Sequence, residues 1–135
     1  MELRVEDARV VKCALTAVVI FQVCAPASAE QWTYVGSDTS KSDYYIDQDS
    51  ISNEATWIEF WSKTDASSDA SVSFRESKTL VRVDCKKKRL GAIYGVTYYP
   101  NGTNDSFGPY DYPTLTPVVP GTMGERQWKI ICNKE

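Results

Sequence analysis

Cys85 and Cys132, 47 positions apart, are the residues of this chain whose chemistry is most tightly bounded by their surroundings. The other two cysteines, Cys13 and Cys24, belong to an apolar stretch over residues 13–25 that follows Arg4, Arg9 and Lys12 and is closed by Pro26 and the small residues Ala27, Ser28 and Ala29. Small-x-small at Ala27 and Ala29 is the pattern a signal peptidase cuts, which predicts a leader over residues 1–29 and a mature domain over residues 30–135. Export carries the two remaining thiols into an oxidising space, where a Cys85–Cys132 disulfide is the expected outcome. Closing a loop of that length stabilises by about 4 kcal/mol in chain-entropy terms, large beside the roughly 5–15 kcal/mol net stability of a small domain, so the expected role is structural rather than catalytic.

The other chemistry-bearing groups point away from catalysis. The chain contains no histidine, which removes the commonest general base, the commonest metal ligand and every His-activated nucleophile. Glu59 and Glu76 could form a glycosidase pair, but acidic residues alternating along an exposed strand are ordinary. Asp43, Asp47, Asp49 and Glu54 could offer oxygens to a hard cation; counted from Asp47, however, Ser52 stands where an EF-hand needs Gly and Ile58 where it needs Glu. No catalytic residue, metal or cofactor is expected. Asn101-Gly102-Thr103 and Asn104-Asp105-Ser106 match glycosylation acceptors and are read as turn chemistry. The run Lys86, Lys87, Lys88, Arg89 could meet an anionic polymer or lipid heads, with a solvated hairpin tip as the plainer role. The aromatic group Tyr98, Tyr99, Phe107, Tyr110 and Tyr112 is the candidate binding surface, because rigid amphipathic rings supply contact area at low entropic cost; loop or core packing is the competing role.

Charge narrows the partners. Lys and Arg number 15 against 18 Asp and Glu, and the leader removes three of each sign, so the mature domain keeps a net charge of -3 and nucleic acid is not an expected partner. The leader's apolar run of about 13 residues, interrupted by Thr16 and Gln22, falls short of the roughly 20 needed to span a bilayer, so no membrane span is expected after cleavage. Phe21-Gln22-Val23-Cys24 lacks the small residue that lipidation of Cys24 would need.

The elements that must position these groups are mostly strands. Residues 31–36 and 43–47 flank a polar stretch and predict a first hairpin carrying Trp32, Tyr34 and Tyr45. Residues 56–64 alternate Trp57, Glu59, Trp61 and Lys63 against Ile58, Phe60 and Ser62; either face could be core, with Ile58 and Phe60 the cleaner apolar pair. A long strand is expected over residues 71–86, with a bulge near residues 75–78 where its apolar parity changes, and another over residues 90–99. Residues 100–121 read as an irregular connection with a short edge strand at 110–112. Thr122 and Glu125 have capping-box spacing for a helix through Cys132, with Trp128, Ile131 and Cys132 on one face.

Trp32, Tyr44-Tyr45-Ile46-Asp47 with Ser50-Ile51, the alternating Trp57 strand, Ser77-Lys78 ahead of Val83-Asp84-Cys85, and Val119-Pro120-Gly121-Thr122 before Trp128 and Cys132 together resemble the surface-adhesin E family across nearly the whole mature chain. The resemblance implies an α+β fold: an antiparallel β-sheet, here of about five to six strands, with a C-terminal α-helix tethered to one face by a disulfide. It also implies an exported bacterial protein whose namesake is a surface adhesin for host matrix proteins, and no catalytic residues. The namesake resembles a lipid-anchored protein; without a lipidation signal, a periplasmic or secreted product is expected here, surface display being what the family adds. The functional expectation is a non-enzymatic binding module with a protein partner, with an open sheet edge as a route to a homodimer. The alternative is a periplasmic inhibitor or envelope-stress accessory that plugs an enzyme with the 100–121 connection.

Overall fold

Short runs rich in β-branched and aromatic residues, punctuated by Gly, Asn, Asp and Ser, fold into one antiparallel sheet. A computed structural model describes residues 30–133; the expected leader over residues 1–29, with its cleavage pattern at Ala27 and Ala29, lies outside the described residues. The strands are β1 (Trp32–Ser37), β2 (Asp43–Asp47), β3 (Ser52–Glu54), β4 (Trp57–Asp65), β5 (Glu76–Asp84), β6 (Arg89–Tyr98), β7 (Asn104–Phe107) and β8 (Thr116–Pro117), followed by helix α1 (Met123–Ile131). Six of them lie side by side in the order β1-β2-β4-β5-β6-β7, while β3 extends the pairing along β4 and β8 along β6.

The register assigns every side chain to a face. Ile58, Phe60 and Ser62 of β4 stand opposite Val83, Val81 and Thr79 of β5, and Ile46 of β2 stands opposite Ser62. On this face Ile46, Phe60 and Val83 are completely buried and join Val81, Val118, Trp128 and Ile131 in one core. Of the two alternating sets in β4, the Ile58–Phe60 set therefore faces the core, and Trp57 and Trp61 take the other side. Helix α1 closes this core. Thr122 caps it, its Oγ1 accepting from the Glu125 amide at 3.3 Å, while Glu125 Oε2 accepts from the Gly121 amide at 2.8 Å, so the predicted box is present with its return bond one residue early. The Cys85–Cys132 disulfide, with Cα atoms 5.7 Å apart, ties the end of α1 to the end of β5. Within the apolar layer Gln127 Nε2 donates to Ser62 Oγ at 2.7 Å, so these two buried polar groups satisfy each other.

Three expectations need correction. Residues 71–75 are not strand; β5 begins at Glu76, and the turn before it is closed by Ala66 N–H donating to the Arg75 carbonyl at 2.8 Å. The irregularity lies on the partner strand: Leu80 pairs with Tyr94 but Val81 with Ala92, so Ile93 is the extra residue of a bulge in β6. The edge strand is not at 110–112 but at Asn104–Phe107, pairing with residues 95–98 of β6. The Lys86–Arg89 run does form the β5–β6 turn, but Lys88 is docked rather than free, its ammonium 3.8 Å from Glu125 Oε1 and 4.7 Å from the centre of the Trp128 ring.

Candidate functional site

Helix α1 covers one face of the sheet; the opposite face carries Trp32, Tyr45, Trp61, Tyr94 and Tyr98 with no described helix or strand over them. The alternation that buries Phe60 turns Trp61 outward, and the β6 bulge brings Tyr94, Val96 and Tyr98 to the same side. These rings do not pack as hydrocarbon alone. Lys63 from β4 places its ammonium 4.8 Å from the Trp32 ring centre and 4.6 Å from that of Tyr45. Lys78 from β5 lies 5.6 Å from the Trp32 ring, and Arg82 lies 4.3 Å from Trp57. Trp61 meets Tyr94 edge to face at 6.0 Å, and Tyr34 meets Tyr45 likewise at 5.6 Å. Cations and aromatic quadrupoles thus alternate across the surface.

Carboxylates hold Arg82 and Lys78 in place. Glu59 Oε1 accepts from Arg82 Nε at 2.9 Å and Nη2 at 2.7 Å. Glu30 accepts from Lys78 Nζ at 3.1 Å and from the Trp32 indole N–H at 2.8 Å. The Trp32 bond, then the Lys78 bond, holds the Glu30 carboxyl below the usual carboxylate range. Partial burial works against the charge on Lys78, yet Glu30, with smaller help from Glu76 and Tyr98, offsets it and the Lys78 value is raised. Burial, reinforced by Asp43 and Asp65, raises the Tyr45 phenol.

Between these groups lies a cleft of about 350 Å³ lined by Glu30, Trp32, Asp47, Trp61, Lys78 and Tyr98. At the other end of the face, residues 111–115 wall a second groove of about 430 Å³ beside Trp57 and Arg82. Gly91 makes that wall possible: a Cβ there would collide with the Thr114 carbonyl.

The five aromatic residues marked by the sequence do not form one surface. Tyr98 lines the cleft. Tyr99 donates to Asp105 at 3.1 Å, the bond that raises its phenol. Phe107 lies over Gly95 and stacks on Tyr110 with ring centres 6.1 Å apart, and Tyr112, 95% exposed, stands on the wall of the second groove. Glu59 and Glu76 stand six register positions apart along β4, roughly 20 Å at strand rise and too far for a hydrolytic carboxylate pair. Asp47 caps the 3-10 turn Gln48–Ser50 and Asp43 accepts from Ser37; among the described residues no group of three or more His, Cys, Asp or Glu converges as a metal site. The sequence does not group Trp32, Lys63 and Lys78 with Asp47, which it offers only as a cation ligand, because their convergence depends on four strands whose register no local pattern reveals.

A family model for surface-adhesin protein E matches residues 32–133. The chain belongs to the surface-adhesin protein E family. Solved structures show the same fold: crystal form II of Haemophilus influenzae protein E aligns with a TM-score of 0.54 at 16% identity, covering 81% of this chain and 94% of that one. The selenomethionine form of Haemophilus influenzae protein E aligns with a TM-score of 0.55 at 16% identity, covering 81% and 92% of the two chains. No curated protein matches this chain in sequence. The matched residues span the antiparallel sheet, the C-terminal helix and both cysteines of the Cys85–Cys132 link. No described helix is long and apolar enough to cross a membrane.

Proposed function

We propose that residues 30–135 are the mature part of an exported, non-enzymatic binding module that contacts host or matrix proteins through the uncovered face of its sheet. The observation that carries this reading is the pairing of membership in an adhesin family with an uncovered face of alternating aromatic rings and cations. Aromatic and Arg side chains are the groups that concentrate binding energy at protein interfaces, and here they sit on a rigid sheet, so little ordering entropy is lost on contact. The 100–121 connection, on which the inhibitor alternative rests, is fastened along β6: Tyr110 N–H donates to the Ile93 carbonyl at 2.9 Å and Val118 N–H to the Lys88 carbonyl at 3.0 Å. That fastening favours the face over the loop.

The test is surface plasmon resonance of the purified protein over a panel of immobilised extracellular-matrix proteins, beside protease treatment of intact cells. Saturable binding that Trp61→Ala with Tyr98→Ala reduces at least about tenfold supports the reading. Binding that survives both substitutions but falls with Tyr110→Ala and Tyr112→Ala moves the site to the loop. A protein that resists external protease and remains in the cytosol overturns export. N-terminal sequencing of the processed protein checks cleavage after Ala29.

A further inference from the structure

The 350 Å³ cleft of the uncovered face contains more than contact area. Its walls are three aromatic rings from three strands, Trp32, Trp61 and Tyr98, and two carboxylates, Glu30 and Asp47. Its single basic lining residue, Lys78, places its ammonium 3.1 Å from Glu30 Oε2 and 5.6 Å from the Trp32 ring, and Lys63 brings a second ammonium within 4.8 Å of that ring. The protein's own cations have thus settled where ring quadrupoles and carboxylates attract positive charge. The Trp32 indole N–H, donating to Glu30 Oε2 at 2.8 Å, holds that carboxylate against the ring edge.

We infer that this cleft is a receptor for a small organic cation of the quaternary ammonium class, such as the head of choline, with Lys78 as a tethered competitor. The inference rests on the uncovered face being the binding face, and adds the chemistry of its ligand. Glu30 and Asp47 offset Lys78 and the neighbouring Lys63, so no excess positive charge repels an arriving cation, and each displaced lysine leaves a carboxylate for it. A quaternary ammonium donates no conventional hydrogen bond, so it loses none when it leaves water, and its positive charge spreads over methyl groups that fit aromatic faces. A lysine ammonium must keep donors satisfied, and Lys78 meets that need at Glu30, at the rim. An arriving quaternary head occupies the ring side of the cleft toward Trp61, Tyr98 and Asp47, and displaces Lys78 from the carboxylate it shares.

The experiment is a titration of the purified protein with choline chloride, with tetramethylammonium chloride, and with 3,3-dimethylbutan-1-ol, the uncharged isostere of choline, at constant ionic strength. Indole N–H resonances are read by NMR, because the chain has 4 tryptophans, of which Trp32 and Trp61 line the cleft and Trp57 and Trp128 do not. The expected result is saturable shifts of Trp32 and Trp61 with both cations, at least about tenfold weaker binding of the neutral isostere, and unmoved Trp57 and Trp128. Lys78→Met keeps the aliphatic stem and removes the internal cation, so it should tighten cation binding several-fold, whereas Trp61→Ala should abolish it with thermal unfolding still cooperative. Equal binding of isostere and choline, or a Lys78→Met protein that binds either cation less tightly, overturns the inference. No saturation with any cation, while matrix-protein binding persists and still depends on Trp61, overturns it too and leaves the binding module standing. Cation binding without matrix-protein binding does the reverse.

Discussion

The two faces of this sheet are built from the same strands, often from consecutive residues, and they solve opposite problems. Phe60 is fully buried under α1 and Trp61, its neighbour, stands on a surface with no described element over it. The helix side excludes water with aliphatic and aromatic side chains, one satisfied polar pair and a covalent tie. The uncovered side keeps its rings partly shielded by stacking cations on them and anchoring the cations with carboxylates. Large apolar residues left bare across a sheet invite aggregation, and interleaved charge keeps such a surface soluble while leaving its rings available. The contrast teaches that stability and recognition have been divided between faces, so that changes at neighbouring positions should act on different properties.

The strongest way to break that division is the pair Phe60→Ala and Trp61→Ala. Removing Phe60 empties the centre of the core and should cost about 3–5 kcal/mol in urea unfolding, whereas removing the larger Trp61 should cost under about 2 kcal/mol while eliminating ligand binding. Equal losses of stability would mean that the uncovered face is a second core and the division false. Next in size is the disulfide. Cys85→Ser with Cys132→Ser should lower stability by about 4 kcal/mol, because nine residues of helix are too few to hold together alone and depend on being pinned to the sheet. The same variant, folded at low temperature, should retain the Trp32 and Trp61 resonances of the uncovered face.

Much of the helix side was legible in the sequence, because it obeys local rules. The hairpin residues 43–47, the alternation of Ile58 and Phe60, the Thr122–Glu125 cap and the cysteine pair each carry a signal within a few residues or a bookkeeping constraint. The uncovered side was not, for a physical reason. In β6 Leu90, Ala92, Tyr94, Val96 and Tyr98 alternate cleanly with Gly91, Ile93, Gly95 and Thr97, so a period of two runs straight through the extra Ile93 that moves Tyr94 and Tyr98 onto the same face as Trp61. Strand β7 reads Asn-Asp-Ser-Phe, with little strand propensity; it exists because the edge of β6 offers unpaired backbone groups to a chain that must return past it. The expected strand at 71–75 failed in the mirror-image way: Val72 and Phe74 suit a strand, but none of the described strands pairs with them.

A smaller effect tests the helix side's polar margin by pH. Tyr44 donates to Asp38 Oδ2 at 2.9 Å, and burial first, then that carboxylate, pushes its phenol up to about 12 from 10.0. A value raised in the folded state leaves stability intact while both states are protonated and erodes it once the unfolded chain ionises. Stability should therefore hold to about pH 10 and fall between 10 and 12. Tyr44→Phe should flatten that alkaline fall in urea midpoints measured at pH 9 and 11, while Tyr45→Phe on the uncovered face should flatten it less.

The smallest expected change sharpens the comparison most. Glu30 has two partners on the uncovered face, Trp32 and Lys78, and a count of contacts would make it a keystone; it is nevertheless 57% exposed, and an ion pair so open to water is worth under about 1 kcal/mol. Because its carboxyl is held below the ordinary 4.5, its contribution is present above that value and is lost as pH falls through the lowered one. Glu30→Gln should thus shift the neutral-pH urea midpoint barely beyond error, yet free Lys78 and weaken choline binding several-fold, since it removes half of the cleft's negative charge. If Glu30→Gln instead destabilised the protein as severely as Cys132→Ser, the carboxylate would be holding the sheet together, and the uncovered face would owe its charges to folding rather than to a ligand.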